Sequence, residues 1–144
     1  MNPVSVDIKD LLVNASIGAF ASDADWAINI SHEPATPDNC ITIYDTGGPR
    51  PSYHFTASTR GMLYSDFQVR VRGNSYLAVW NRMQDILVVI DHIGRFVVSG
   101  DSSAESDVVY SDIQKTTEAE FLKKDANERT IFVCNFRAFR QEQA

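Results

Sequence analysis

The chain lacks the residue patterns that mark several protein classes. Its two cysteines, Cys40 and Cys134, are too few for a disulfide framework and form no Cys-x-x-Cys pair. Both stand in apolar, strand-like runs, so we expect buried, reduced thiols. No apolar run approaches the roughly 18 residues of a membrane span, and no basic stretch followed by an apolar one opens the chain. We therefore expect no membrane contact and synthesis in the cytoplasm.

Basic residues are also scarce, with 13 Lys and Arg against 19 Asp and Glu and a formal net charge of −6. This balance argues against a domain that binds nucleic acid by neutralising many phosphates. The length of 144 residues lies close to the usual single-domain size of roughly 100–150, so we expect one domain over residues 1–144.

Cofactor and metal motifs are missing as well. No glycine-rich phosphate loop stands between a strand and a helix, and His32, His54 and His92 show no metal-binding spacing. We predict no cofactor and no metal. Asp45-Thr46-Gly47 follows an apolar strand, as the catalytic aspartate does in aspartic proteases, and a single copy would require a dimer. The same residues also suit a turn, and a long helix-forming stretch follows them.

Hydrophobic periodicity predicts an α+β fold. Asn2 as cap and Pro3 at the first helical position indicate a helix to about Phe20. Alternating or apolar runs predict strands at residues 26–30, 40–45, 67–72, 95–99, 107–113 and 130–139. The predicted order is α-β-β-loop-β-α-β-β-β, a mostly antiparallel mixed sheet with two helices packed on one face.

The second helix carries the strongest helical signal. Gly73-Asn74-Ser75 ends a strand and caps a helix over residues 76–90. Its apolar residues follow i, i+3, i+4, i+7 spacing and are predicted to face the core: Tyr76, Leu77, Val79, Trp80, Met83, Ile86, Leu87 and Ile90.

Two segments and one strand face are candidates for contacts. Residues 46–59 form a long loop without periodicity, and such loops are often functional. Residues 118–129 are polar, with a predicted turn at 125–128. Arg70 and Arg72 alternate with apolar residues and form a cationic face, which is either solvated or a subunit contact. Carboxylates that could meet them on an identical neighbour are Asp101, Glu105, Asp107, Glu118 and Glu120.

The order of several weak motifs resembles one family. These are residues 38–48 (DNCITIYDTGG), residues 67–73 (FQVRVRG) leading into a helix, Gly100-Asp101, and Asn135-Phe136-Arg137. Together they look like the minor capsid or tail terminator proteins of long-tailed bacteriophages, of the lambda type, from about Val6 to Arg140. One departure is residues 123–129, which lack the glycine expected in a hairpin turn there.

The resemblance implies a structural virion protein without catalytic activity. It implies a ring, expected to be a hexamer, at the head-proximal end of the tail tube. This ring would stop tube polymerisation, dock the head connector or stopper protein, and let DNA pass through its lumen without specific binding. A head-closure or head–tail joining ring of the neck is the alternative.

The same resemblance suggests roles for particular residues. Arg70, Arg72, Asp101, Glu105 and Asp107 are expected at subunit boundaries or in the lumen. Contacts with axial neighbours are expected from the two segments, at Gly47, Gly48, Arg50, Tyr53, Phe55, Lys123, Lys124 and Asp125.

Overall fold

The computed structural model describes residues 1–50, 61–100 and 107–143. Within them the chain forms two helices and seven strands, and the α+β class is confirmed. In chain order the elements are α1 (Val4–Asn14), β1 (Ala27–Ile30), β2 (Cys40–Gly47), β3 (Leu63–Gly73), α2 (Tyr76–Ile90), β4 (Phe96–Val98), β5 (Val108–Lys115), β6 (Glu120–Lys124) and β7 (Thr130–Glu142).

The strand order in the sheet is β1-β2-β3-β7-β5-β4, and β6 pairs with β7. The predicted order lacks β6, which lies in the segment interpreted as polar and turn-forming. The predicted mostly antiparallel mixed sheet also did not identify the parallel pair, which is β1 with β2. Residues 31–39 carry the chain back to the start of β2, a path that strand periodicity alone does not reveal. The other pairings between the described strands are antiparallel.

Both helices pack on the same face of the sheet and contact each other. The centre of that face is the long β3–β7 pair, in register from Leu63 with Arg140 to Gly73 with Thr130. Between helices and sheet lies the core, whose buried side chains include Ile8, Leu12, Ile41, Ile43, Phe67, Val69, Val71, Val79, Met83, Ile86, Ile90, Phe132, Cys134 and Phe136.

The first helix is shorter than predicted at both ends. Pro3 precedes it, so Asn2 is not its cap, and it ends at Asn14 rather than near Phe20. Ser16 adopts a left-handed backbone with φ of 60°. The N–H groups of Ser16 and Ile17 then bond back to carbonyls of the last turn, each at 3.0 Å. This is the Schellman ending, made here with serine in the position that glycine usually takes.

Cys40 and Cys134 are free and buried, as predicted. Burial raises the pKa of the Cys40 thiol, and it raises the pKa of the Cys134 thiol to about 11. Both thiols are therefore protonated and poorly nucleophilic at neutral pH.

Candidate assembly surface

Aromatic side chains are exposed where the start of α2 meets β6. Three aromatic residues and one leucine form this surface, and they are between 37% and 67% exposed. We call them the aromatic patch: Tyr76, Leu77, Trp80 and Phe121. Phe132 of β7 lies beneath them, with ring centroids 5.1 Å from Tyr76, 5.4 Å from Trp80 and 5.9 Å from Phe121. Leu77 lies one helical turn before Trp80 on the same side of α2.

This exposure corrects the prediction that the whole apolar face of the second helix is core. The buried side of α2 consists of Val79, Met83, Ile86 and Ile90. Those four suffice for one buried stripe, so the remaining large apolar side chains at the start of the helix stay at the surface. A cluster rich in Tyr and Trp that stays exposed is typical of a protein–protein contact. The signal in the sequence for this exposed surface is that the apolar residues of α2 cover a wider arc of the helix than one buried stripe needs.

Ser75 fixes where this surface begins. Its hydroxyl accepts a hydrogen bond from the backbone N–H of Ala78 at 3.4 Å and so caps α2, as predicted. Tyr76 and Leu77 therefore occupy the first turn. Their exposure follows from the position at which the helix starts.

The predicted cationic face of β3 is not a solvated patch. The guanidinium of Arg72 is buried and donates to the carbonyl oxygens of Pro37 at 2.7 Å and Asp38 at 3.2 Å. Glu33 bridges the pair, 3.5 Å from Arg72 Nη1 and 3.2 Å from Arg70 Nη2. Arg72 therefore organises the segment before β2, and Arg70 is the more accessible of the two.

The carboxylates predicted to meet these arginines lie in different parts of the chain. Glu118 pairs with Lys115 at 2.9 Å, and Glu120 is an exposed residue of β6. Asp101 and Glu105 lie outside the described residues. Asp107 is exposed, and its side chain accepts a hydrogen bond from the backbone N–H of Gly100 at 3.2 Å. This hydrogen bond joins the two described residues on either side of residues 101–106, in the connection between β4 and β5.

Some of the residues predicted to make axial contacts from the first loop lie in or beside the sheet. Gly47 is the last residue of β2, and Gly48 follows it with φ of 133°. A side chain at Gly48 would collide with the Tyr64 carbonyl, so only glycine fits there. Arg50 is exposed, and Tyr53 and Phe55 lie outside the described residues.

The second predicted contact segment is a hairpin. Lys123 and Lys124 are exposed residues of β6 and not of a loop. The predicted turn at 125–128 is present: Asp125 Oδ1 accepts the N–H groups of Asn127 at 2.9 Å and Arg129 at 3.0 Å. Glu128, with φ of 60°, takes the left-handed position that a glycine would fill.

Charge pairing holds this hairpin against the segment before β2. Arg129 is buried, donates to the Ala35 carbonyl at 2.6 Å and lies 2.8 Å from Asp125 Oδ2. Burial alone would raise the pKa of Asp125, but the hydrogen bonds from Arg129 and Asn127 lower it below its usual value. No local pattern marks Arg129 as buried, because two of its partners, Ala35 and Asp38, lie 94 and 91 residues away in the chain.

Asp45, the candidate catalytic aspartate, serves the first helix instead. Its Oδ1 accepts the backbone N–H of Ser5 at 3.0 Å, and its Oδ2 accepts the Ser5 hydroxyl at 2.6 Å. Ser5 lies in the first turn of α1, where a negative charge and an acceptor are both stabilising. Both carboxylate oxygens are thus occupied by a structural contact.

Comparison of the sequence with models of protein families identifies the family of this chain. The model of the family described as bacteriophage tail terminator protein matches residues 11–141, nearly the full chain. The chain belongs to the bacteriophage tail terminator family. A comparison with curated proteins found no match.

Membership gives the tail terminator a structural role in the phage tail and a place in the virion. The family is structural and not enzymatic, which agrees with the engagement of Asp45. In the described part of the terminator, no helix is long and apolar enough to cross a membrane. Nor does any cluster of three or more His, Cys, Asp or Glu among residues 1–50, 61–100 and 107–143 have a metal-binding arrangement.

Proposed function

We propose that this terminator forms a ring, expected to be a hexamer, at the head-proximal end of the tail tube. The ring stops tube polymerisation and then docks the head connector or stopper protein. The family match carries this proposal, because it spans nearly the whole chain and favours a terminator over a head-side joining ring or a protease. The chain is made in the host cytoplasm and becomes part of the virion neck.

The aromatic patch supports a contact between copies of the chain. Subunit interfaces of homo-oligomers are more apolar than ordinary protein surface. A large apolar patch that stays exposed to solvent promotes aggregation unless a partner covers it. A ring uses head-to-tail contacts, in which two different surfaces of each copy meet. The patch supplies one such surface, and Arg70 and Asp107 remain predicted contacts near subunit boundaries.

The axial contacts and the lumen complete the proposal. Gly47, Gly48, Arg50 and the turn at Asp125, which follows β6, are expected to reach axial neighbours. Passage of DNA through the lumen agrees with the net charge of −6, because like charge prevents retention of the DNA backbone.

Tail assembly without and with the purified protein tests the proposal. Tubes polymerised in its absence should continue to grow, whereas tubes given the protein should stop and carry a ring at one end in negative-stain electron microscopy. Heads should then join only to capped tubes. Uncapped growth in the presence of the protein, or its recovery on isolated heads, would refute the proposal.

A further inference from the structure

A small cavity lies between α1 and the short edge strand β4. Its volume is about 190 Å³. This is below the roughly 300–1,000 Å³ of sites for drug-sized ligands, so the cavity suits one side chain rather than a metabolite. The residues that line it are Asp7, Asp10, Leu11 and Asn14 of α1 and Phe96, Val97 and Val98 of β4.

The polar end of this cavity is an incompletely paired carboxylate. The Asp7 side chain is only 1% exposed. Its Oδ2 accepts the Tyr110 hydroxyl and lies 3.9 Å from Arg140 Nη1, while the buried Oδ1 has no hydrogen-bond partner among the described residues. Arg140 does not fill this vacancy, since it donates to the carbonyl of Asn2 at 2.7 Å and to Ser65 Oγ at 2.9 Å.

The rest of the lining is suited to an aliphatic stem. Phe96 stacks on Tyr110 with centroids 4.5 Å apart, and Leu11 and Val98 add apolar wall. Asp10 lies at the mouth, largely exposed and 2.7 Å from Lys9. A carboxylate at the base, apolar walls and a second carboxylate at the entrance complement a long side chain with a cationic end.

We infer that the cavity receives a lysine side chain of β6 from a second copy of this chain, with its ammonium group donating to Asp7 Oδ1. Lys123 and Lys124 are exposed and have no ion-pair partner in the described part of the chain. The contact rests on the proposed ring, whose subunit boundary it would form.

Sheet register explains why the lysine must come from another copy. Lys123 of β6 pairs with Ile131 of β7. On the cavity side, Phe96 of β4 pairs with Tyr110 of β5, which pairs in turn with Arg140 of β7. Arg140 lies nine residues beyond Ile131 along β7. At about 3.3 Å per residue this is a separation of about 30 Å. No lysine of β6 therefore reaches the cavity of its own chain. The lysines and the cavity are two different surfaces of one copy, as in a head-to-tail contact.

The binding chemistry can be tested on the isolated full chain by NMR titration with Nα-acetyl-lysine amide. Amide signals of Asp10, Leu11, Val97 and Val98 should shift in a saturable way, and Nα-acetyl-norleucine amide, which has the stem without the charge, should shift them little. Asp7→Asn, checked for native fold by circular dichroism, should weaken binding about tenfold or more. Absent shifts, equal shifts with both probes, or undiminished binding to Asp7→Asn would overturn the inference.

The occupant is tested by disulfide trapping on tail tubes. Asn14→Cys combined with Leu122→Cys in the same chain keeps both lysines and should produce a ladder of covalent oligomers under oxidation, because Leu122 is an exposed neighbour of Lys123 on β6. The two buried native thiols should leave a low background. The matched pair at Asn14 and Val88 should produce none. Rings without a ladder would exclude the second copy as occupant. Lysine-amide binding without any ring would instead count against the proposed function while leaving the cavity chemistry intact.

Discussion

Replacing Leu77 by serine should separate assembly from folding. Leu77 is 67% exposed, so about a third of its side chain is buried within one chain. Full burial of a leucine contributes about 1.5–3 kcal/mol, and the change should therefore lower the free energy of unfolding by only about 0.5–1 kcal/mol. The two thirds that a neighbouring subunit would cover correspond to about 1–2 kcal/mol per contact, a factor of about 5–30 in the association constant.

The assay is co-sedimentation of the protein with tail tubes, together with the fraction of tubes that end in a ring. Val88→Ser is the matched control, because Val88 is an exposed aliphatic residue of the same helix, 85% exposed and about 16 Å further along it. We expect Leu77→Ser to fold and fail to form rings, while Val88→Ser behaves as wild type. Ring formation by Leu77→Ser at wild-type concentrations would refute the assignment of the aromatic patch.

Four further experiments test the rest of the structure, three with substitutions and one with a thiol reagent. Asp45→Ala should lower the free energy of unfolding in urea by about 1 kcal/mol, through the lost contact with α1; no loss of stability would contradict the capping role. Arg72→Ala should cost about 3 kcal/mol in the same measurement, and Arg70→Ala less than about 1 kcal/mol because Arg70 is partly exposed; equal losses would contradict the burial of Arg72. Burial raises the pKa of Asp7 despite the Tyr110 hydrogen bond and Arg140, so the native state keeps a proton that the unfolded chain releases. The stability of Asp7→Asn relative to wild type should therefore rise with pH from 3.8 towards the native pKa, and a flat difference would oppose this. Cys134, with a pKa of about 11, should react slowly with Ellman's reagent at pH 8 in the native protein and rapidly in denaturant; fast native reaction would contradict its burial.

Local patterns predicted the elements whose signals lie within a few residues. The cap at Ser75, the bounds of α2 and the alternation of β3 are all confirmed, because helix capping and strand periodicity depend on adjacent residues. The turn at Asp125 belongs to the same group, since its hydrogen bonds span at most four residues. The α+β class follows from these elements.

Long-range contacts explain what the sequence did not reveal. All five residues of β6 are exposed and its register shifts after Phe121, so no alternation marks it as a strand. Asp45 caps a helix 40 residues earlier in the chain, and Arg72 is buried only because residues 33–38 fold over it. Such partners are chosen by tertiary packing, which hydrophobic periodicity does not encode.

Electron cryo-microscopy of the neck of intact virions tests the central proposal most directly. We predict six copies of this chain in one ring between the last tube ring and the head connector, with the aromatic patch buried between neighbouring copies. A neck that lacks the chain, or a density that places it on the head side of the connector, would contradict the proposal.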